Sequence, residues 1–519
     1  MSLLTLLFLV LISKQLTWSA AVPLWQFPDE QAHFAQVQNI VEKNQVKIIP
    51  SASTSREIYE SEIFLGTDRD WAGNNKYTYH PEYNISYSTS TIGIHEQEIL
   101  SFTAAHRSEL IINEATGYPP LYYLLLSLGY RLVYPFDLLT RVFFTRLINI
   151  FIFAVNIYVV SQISKIIFEK DKFFQLLLVI FVGFHPMYSF VFGGINSDNL
   201  YNLLFTVAIY LSLKLLQRDW KISTFLSMLA SIFIAHWIKP QGILVVGLYL
   251  FPLSMTIRHT ARRQLFPLIG GVILFLFGIG ATIYKLFSNQ QLISELPSVS
   301  YMPKVSILDY LQYLMETLKH TYKETLPWYW GIYRWLSLTY PRIIHRIVNW
   351  LILIGAIGVG KYLLTVRTYK SANNNLIYVL FLVYASIMYF LALSFFDYLF
   401  TRSHGFSFGI QGRYYFPVIV VHMALLLIGF QVLARRFKLK FFALKSLGLT
   451  MIALHTYTLF FLLESYYGNN LKTFFMRASQ YKPIFYKTPA MEIIFFVSLG
   501  TLVIFLVYYL CYLPAHEKN

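Results

Sequence analysis

The stretch "NLIYVLFLVYASIMYFLALSF", residues 375–395, contains no charged side chain. A helix of about 20 apolar residues crosses the roughly 30 Å hydrocarbon core of a bilayer, so this stretch predicts a membrane-spanning helix. Similar windows recur along the 519 residues, of which only 13% are charged, against about 25% in soluble proteins. The mean hydropathy is +0.51. We therefore expect an all-α polytopic membrane protein with one transmembrane domain over residues 1–519.

Twelve apolar windows are predicted to span the membrane. They are residues 1–22, 142–166, 173–191, 199–216, 222–238, 242–257, 265–286, 344–365, 375–395, 414–434, 444–463 and 490–511. A further window, residues 118–136 ("YPPLYYLLLSLGYRLVYPF"), contains a double proline, several tyrosines and the central Arg131. This composition suits an amphipathic helix at the membrane interface better than a spanning helix.

The distribution of basic residues supports the same interpretation. Lys and Arg cluster in cytoplasmic loops of membrane proteins. If residues 118–136 do not span, five basic clusters fall on the cytoplasmic side together with both termini: "SKIIFEKDK", "KLLQRDWK", "RHTARR", "KYLLTVRTYK" and "ARRFKLK". The net charge of +16 then reports membrane topology, not a nucleic-acid partner.

This topology gives the outer face a large first loop, residues 23–141, which is expected to carry juxtamembrane helices. The core spans follow at 142–286, a second outer loop at 287–343 and the C-terminal spans at 344–511. Most of the acidic, histidine and basic residues that could form a functional site lie on this outer side.

The first outer loop begins with "FPDEQAHF", residues 27–34. Asp29, Glu30 and His33 lie at helical spacings and share a face if a helix starts at Pro28. Proline followed by two acids is also a common helix start, because carboxylates stabilise the positive end of the helix dipole. The residues alone leave a functional site and a helix start both open.

Other candidates lie at the outer ends of later spans. Asp198 ends "NSD", whose residues are preferred helix N-caps, and Lys239 lies in a short turn, "KPQG". Arg413 opens the tenth span, where an arginine can extend towards the interface, but it departs from the inward bias of basic residues. The upstream "TRSH" adds Arg402 and His404.

Aromatic residues crowd the second outer loop in "LPWYWGIYRW", residues 326–335. An interfacial aromatic belt is sufficient to explain this composition. The chain has no phosphate-binding P-loop, no HExxH motif, no nucleophile elbow and a single cysteine, Cys511. These absences argue against a motor ATPase, a zinc protease and a disulfide framework.

Four short motifs occur in order: "PDE..H" after the first span, "YPPLYY" in the first loop, "NSD" before the fourth span and "GRYYFP" late in the chain. With them the chain resembles the GT-C superfamily of membrane glycosyltransferases, which includes protein O-mannosyltransferases and the aminoarabinose transferase of lipid A. It resembles more closely a bacterial family of GT-C-like membrane proteins. The resemblance covers residues 1–250 and the segment around Arg413.

The resemblance implies a multi-pass enzyme of the bacterial plasma membrane. It would transfer a sugar, with inversion, from a polyprenyl-phosphate donor to an acceptor hydroxyl at the extracytoplasmic face. The acceptor, a glycan, a lipid or a protein, stays open. By resemblance Asp29 is the candidate base, with Glu30 and His33 orienting it or holding a metal.

The resemblance also implies substrate-binding residues. Arg413 and Lys239 would neutralise the donor phosphate, and Asp198 corresponds to the second acidic position of the superfamily. The remaining predicted substrate-binding residues are Tyr118 of "YPPLYY", Arg402 and His404. Asp198 lacks the Asp-x-Asp context of metal-dependent members, so a divalent cation on Asp29 and Asp198 is left open and no other cofactor is expected.

Two alternatives remain from other classes. A transporter or flippase of a lipid-linked substrate would place ionisable groups near the middle of the membrane, whereas here the acids gather at one face. An O-antigen ligase or polymerase would use a late outer loop with basic residues, for which residues 287–343 and 464–488 are candidates.

Overall fold

Long apolar helices dominate the computed structural model, which describes residues 2–44, 53–70, 73–83, 89–113, 118–217, 221–259, 306–368, 374–437 and 441–511. In chain order they are α1 Leu3–Ala21, α2 Glu30–Lys43, α3 Arg56–Leu65, α4 Thr89–Leu100, α5 Ala104–Ser108, α6 Leu121–Leu132, α7 Leu138–Ile167, α8 Lys172–Gly183, α9 Pro186–Gly193, α10 Asp198–Leu216, α11 Ile222–His236, α12 Leu244–His259, α13 Ile307–His320, α14 Leu326–Trp330, α15 Arg342–Thr368, α16 Asn374–His404, α17 Ile419–Arg436, α18 Phe441–Tyr467, α19 Leu471–Ala478 and α20 Thr488–Cys511. The all-α polytopic fold class is confirmed.

Short elements connect these helices. Segments of 3-10 helix cover Pro240–Ile243, Gly412–Val418 and Ile484–Tyr486, and a π-helical turn covers Thr321–Thr325 between α13 and α14. Two small antiparallel pairs supplement the helices: β1 Ser53–Ser55 with β2 Leu110–Asn113, and β3 Ile332–Tyr333 with β4 Leu338–Thr339.

Eight helices in the described ranges are long and apolar enough to cross a membrane. They coincide with predicted windows and are Leu3–Ala21, Leu138–Ile167, Asp198–Leu216, Arg342–Thr365, Asn375–His404, Gly412–Arg436, Leu444–Tyr467 and Thr488–Cys511. The window 173–191 is the pair α8 and α9, bent by 54°, where Pro186 cannot continue the hydrogen-bond ladder of α8.

The remaining predicted spans are less complete. The windows 222–238 and 242–257 form the shorter apolar helices Ile222–His236 and Pro240–Met255, and the window 265–286 lies outside the described residues. The number of twelve spans therefore stays a prediction. Residues 118–136 contain the 12-residue α6, about 18 Å long, which is too short to cross a bilayer and agrees with the predicted interfacial helix.

The first loop is fastened to α7 by two buried ion pairs. Arg141 binds the Glu57 carboxylate through both terminal nitrogens, at 2.7 and 2.8 Å. Arg146, further along α7, binds the Glu30 carboxylate through Nε and Nη2, and all four side chains have no exposed surface. These contacts fix the segment that follows α1, and with it Asp29, relative to the bundle.

Glycines bring the backbones of α15 and α17 into contact. A Cβ atom added to Gly358 would overlap the carbonyl group of Gly429, so the backbone would have to shift. Close helix packing in membranes uses such small residues.

Replacing Gly358 by Ala is therefore expected to destabilise the bundle by about 1–3 kcal/mol, the usual range for overpacking. Gly360→Ala on the same helix is the matched control, because a Cβ atom there meets nothing within 4 Å. Thermal unfolding of the purified variants in detergent measures the difference. Equal melting temperatures for the two variants would show that α15 and α17 are not in backbone contact.

Candidate active site

Segments distant in sequence meet around a cavity of about 520 Å³, the polar cavity, whose lining includes Asp29, Arg69, Glu324, Trp335 and Arg413. The segments come from the start of α2, the first loop, the chain between α13 and β4, and the approach to α17. The cavity thus lies where the connections between helices converge.

The predicted helix begins at Glu30 instead of Pro28, so Asp29 occupies the N-cap position of α2, and its side chain makes no capping hydrogen bond. Its backbone is left-handed, with φ at 54°. The carboxylate instead accepts hydrogen bonds from Arg413 Nη2 at 2.8 Å and from Arg69 Nη1 at 3.4 Å. The side chain keeps 35% of its surface exposed. Helix capping therefore does not account for this carboxylate.

Electrostatics keep Asp29 ionised. Burial raises the pKa of the Asp29 carboxyl, but the charges of Arg413 and Arg69 outweigh burial and hold this pKa well below its ordinary value. The carboxylate is consequently free to accept a proton at neutral pH, although it is a weak base while both guanidinium groups bind it.

Arg413 uses only part of its hydrogen-bonding capacity. Its side chain is 8% exposed, and its Nε and Nη1 atoms have no hydrogen-bond partner among the described residues. The preceding Gly412 lies directly against the backbone of Tyr329, where a Cβ atom would overlap the chain. Close packing against α14 thus holds in place a cation with two unused donor groups.

A second, smaller cavity adjoins Arg413 and is lined also by Tyr118, Asp198 and Lys239. The Lys239 ammonium forms an ion pair with the Asp198 carboxylate and lies 4.6 Å from the centroid of the Tyr118 ring. Asp198 is the first residue of α10, but its carboxylate binds Lys239 instead of capping the helix. The structure therefore places Asp29, Arg413, Lys239, Asp198 and Tyr118 around two neighbouring cavities.

His33 lies behind these residues. Its ring is stacked on Tyr118 and Tyr123, with centroids 6.0 and 5.9 Å away, and its Nδ1 is 2.8 Å from the Tyr123 hydroxyl. Burial lowers the pKa of His33 to about 3. The imidazole is therefore neutral at physiological pH.

Replacing His33 by Gln is expected to reduce the loss of stability on acidification. Between the ordinary pKa near 6.5 and the folded pKa of about 3, the unfolded chain binds a proton that the folded chain does not. The cost at pH 5 is roughly 2 kcal/mol. Asp29 adds nothing in this range, because a lowered carboxyl pKa costs stability only below about pH 4.

Thermal unfolding of the parent protein and the Gln variant at pH 7 and pH 5 measures this effect. The melting temperature of the parent should fall more between the two pH values. An equal fall in both proteins would mean that His33 is not buried as a neutral ring.

Glu30 points away from both cavities. Its carboxylate accepts hydrogen bonds from Arg146 at 2.7 and 2.5 Å and from the backbone N–H of Ile195 at 3.2 Å. Arg146 also donates to the carbonyl oxygens of residues 19, 22 and 23. Glu30 thus joins the end of α1 to α7 and to the chain before α10.

Arg402 and His404 lie at the end of α16, and neither lines the two cavities. Arg402 Nη2 is 4.0 Å from Asp309 Oδ2, and the His404 ring stacks on Phe400 at 4.1 Å. The structure does not bring these two residues to Asp29, and a substrate-binding role for them stays a prediction.

No three His, Cys, Asp or Glu side chains of the described residues are grouped as metal ligands. Asp29 and Asp198 each bind a cationic side chain, so a divalent cation would have to compete with Arg413 or Lys239 for them.

Sequence reasoning did not find Arg69 or the contribution of Trp335. Arg69 stands between two acids in "TDRD", which carries no recognisable motif. Left-handed backbone is concentrated here: five of the non-glycine residues with positive φ line the polar cavity, namely Asp29, Tyr79, Arg334, Trp335 and Leu336. Strained backbone of this kind is concentrated at functional sites, but sequence gives no direct signal of it.

An apolar cavity of about 490 Å³ lies beside the polar one, between α15, α16 and α17. The helical rod of residues 307–330 separates the two. Glu324 and Trp328 line the polar cavity, whereas Thr325 and Tyr329 line the apolar cavity. The consecutive Tyr414 and Tyr415 are divided in the same way, so the polar site adjoins an apolar space among long apolar helices.

Comparisons with known proteins complete the description. No curated protein matches the chain. The crystal structure of ArnT from Cupriavidus metallidurans bound to undecaprenyl phosphate is 13% identical, with a TM-score of 0.45 over 97% of this chain and 70% of that one. The Archaeoglobus fulgidus oligosaccharyltransferase in the apo form is 12% identical, with a TM-score of 0.42 over 92% of this chain and 56% of that one.

The family model described as "Predicted membrane protein (DUF2142)" matches residues 13–422. That range includes the second half of α1, the first loop and every residue that lines the polar cavity or the smaller cavity next to it. The chain therefore belongs to the DUF2142 family of membrane proteins.

Proposed function

We propose that this protein is an integral membrane glycosyltransferase that moves a sugar from a polyprenyl-phosphate donor to an acceptor hydroxyl, with inversion, at the extracytoplasmic face. The observation that carries the proposal is the Asp29–Arg413 pair. It joins a partly exposed, ionised carboxylate in the polar cavity to a buried cation with two unused donors. The four sequence motifs, through which the chain resembles a GT-C-like bacterial family, support the same reaction.

Arg413 is suited to bind the donor phosphate. Guanidinium groups form charge-assisted hydrogen bonds with phosphate oxygens. The Nε and Nη1 atoms of Arg413 are buried without a hydrogen-bond partner among the described residues, and phosphate oxygens would supply one. Lys239 is next to Arg413 in the smaller cavity and adds a second positive charge. The neighbouring apolar cavity offers space for part of the lipid chain.

The reaction then proceeds by direct displacement. The acceptor oxygen attacks the anomeric carbon on the side opposite to the phosphate. A new carbon–oxygen bond forms as the bond from the anomeric carbon to the phosphate oxygen breaks. The electron pair of the broken bond stays on that oxygen, which yields polyprenyl phosphate, and the acceptor proton moves to the Asp29 carboxylate. Charge neutralisation by Arg413 and Lys239 stabilises the departing phosphate.

Donor binding would also make Asp29 a stronger base. Its pKa is low because Arg413 and Arg69 are close to it. A bound phosphate places negative charge on the other side of the Arg413 guanidinium, and a like charge near a carboxylate raises its pKa. The proton acceptor is therefore activated only when the donor is present.

The other predicted residues support this centre. In the proposed arrangement Glu30 positions the segment that carries Asp29, Asp198 holds Lys239, and Tyr118 together with His33 forms the wall behind them. Asp29, Glu30 and His33 thus take different roles, and only Asp29 among the three contacts the acceptor. We place the enzyme in a bacterial plasma membrane with both termini cytoplasmic.

Mass spectrometry of cells that lack this chain tests the proposal. One polyprenyl-phosphate sugar should accumulate on the outer leaflet while one surface sugar modification disappears, and the intact chain should restore both. Unchanged carrier-linked sugars and surface sugars would refute the transferase. Accumulation confined to the cytoplasmic leaflet, protected from membrane-impermeant periodate, would indicate a flippase instead.

A further inference from the structure

Residues 326–340, here called the aromatic hairpin, comprise α14, β3, β4 and their connections. The sequence alone suggested an interfacial belt for these aromatic residues. In the structure the hairpin folds into the polar cavity, where Trp328 and Trp335 form part of the wall. Both indoles are only partly buried, so each presents aromatic surface to the polar cavity, which Asp29 also lines.

Trp335 is held in a fixed orientation. Its indole N–H donates to the carbonyl oxygen of Trp25 at 3.2 Å, and its own carbonyl accepts from the backbone N–H of Tyr79 at 3.2 Å. Arg334, Trp335 and Leu336 have φ angles of 49°, 54° and 63°. Three consecutive left-handed residues without glycine are retained only where the surroundings impose them. The hairpin is thus built to present this indole.

Trp335 is also connected to the proposed base. The Arg69 guanidinium lies 5.9 Å from the centroid of the Trp335 ring, and the same group binds Asp29 at 3.4 Å. A ligand ring packed on the indole therefore lies near Asp29, the carboxylate that would receive the proton of a ligand hydroxyl group.

Neutral polar groups surround the aromatic ones. Asn74, Thr78 and Gln411 line the polar cavity, as does Gln26, whose Nε2 atom is buried with no hydrogen-bond partner among the described residues. Binding sites combine apolar surface with a few directed polar groups. A pyranose ring has matching features, since it carries an apolar C–H face and a rim of hydroxyl groups.

We propose that the acceptor is a carbohydrate whose ring packs on Trp335 while one of its hydroxyl groups points to Asp29. This inference rests on the proposed transferase function and names its acceptor class. A sugar-free lipid acceptor has neither an apolar ring face to pack on the indole nor a rim of hydroxyl groups to match the neutral polar side chains of the polar cavity. Trp335 is the specificity-determining residue.

The first test measures binding to the full chain in nanodiscs by saturation-transfer NMR. The probes are a panel of di- and trisaccharides of hexoses and N-acetylhexosamines, and a matched panel of Ser- and Thr-containing peptides. At least one saccharide should bind, with the strongest transfer to the C–H groups of one ring face. This pattern is read on the parent protein and needs no variant.

Variants then locate the site. Trp335→Ala should weaken saccharide binding at least tenfold, and Trp335→Phe, which keeps an aromatic ring, should retain most of it. Trp350→Ala is the matched control, because Trp350 is 62% exposed on α15 and does not line the polar cavity. Binding of peptides but no saccharide, binding of neither panel, or saccharide binding unaffected by Trp335→Ala would each overturn the proposal.

The cellular experiment separates this inference from the transferase itself. If donor accumulates and the missing modification was on a protein or on a sugar-free lipid, the acceptor is not a carbohydrate, although the transferase stands. If no donor accumulates but saccharides bind at Trp335, the carbohydrate site stands and the transferase does not. Loss of a sugar from a glycan, restored by Trp335→Phe and not by Trp335→Ala, supports both.

Discussion

Replacing Asp29 by Asn is expected to lower the rate of sugar transfer by about 10²–10⁴-fold, the range for loss of a general base. Asn has the same shape and still accepts a hydrogen bond from Arg413 or Arg69, so the cavity should stay intact. It cannot take a proton from the acceptor hydroxyl. Donor binding, which depends on Arg413 and Lys239, should be retained or become tighter, because Asn removes the negative charge that repels the donor phosphate. The loss should therefore appear in turnover and not in donor affinity.

Single-turnover assays in nanodiscs, with the donor that accumulates in cells lacking the chain, measure this loss. Asp68→Asn is the matched control, because Asp68 adjoins Arg69 in sequence but is exposed and does not line the polar cavity. Unchanged turnover in the Asp29 variant, with expression and donor binding retained, would exclude Asp29 as the base.

The sequence predicted which segments of the chain meet at the candidate site better than it predicted what each side chain binds there. Asp198, Lys239 and Arg413 lie at or next to the ends of apolar helices, Asp29 lies in the loop that follows the first one, and the ends of packed helices converge. Their joint position could be expected from topology. What each carboxylate binds depends on tertiary partners, and the local sequence also fits a helix start around Asp29 and a helix cap around Asp198.

Helical spacing alone did not predict the direction of the Glu30 side chain. A shared helical face for Asp29, Glu30 and His33 assumes that all three have helical backbone. Asp29 precedes the helix in a left-handed conformation, so its side chain turns towards Arg413 whereas that of Glu30 turns towards Arg146. Arg146 lies in an apolar helix, and the sequence does not tell a buried arginine from one that extends to the interface.

The aromatic hairpin shows a second limit. Composition alone fits an interfacial belt, because tryptophan and tyrosine are enriched there for reasons unrelated to ligands. The hairpin enters the cavity because of three left-handed residues and the contacts of Trp335 with distant segments. None of these leaves a periodic or compositional signal.

Replacing Arg146 by Met is expected to destabilise the protein by about 3–5 kcal/mol, the range for breaking a buried ion pair from one side. The change would leave the Glu30 carboxylate buried without its cation. It would also remove the donor shared by the carbonyl oxygens of residues 19, 22 and 23. Arg56→Ala is the control, because Arg56 forms ion pairs while 42% exposed, and exposed pairs contribute about 0–1 kcal/mol.

Thermal unfolding in detergent, followed for Arg146→Met and for the double variant with Glu30→Gln, decides the role of Glu30. Because the double variant removes the buried charge as well, it should be more stable than Arg146→Met alone. Such a recovery shows that Glu30 is enclosed with Arg146 as a structural ion pair, since its carboxylate is then a cost to folding once Arg146 is absent. If Arg146→Met were as stable as the parent, Glu30 would not be enclosed by Arg146. It would then be free to turn towards the polar cavity and compete with Asp29 for the acceptor proton.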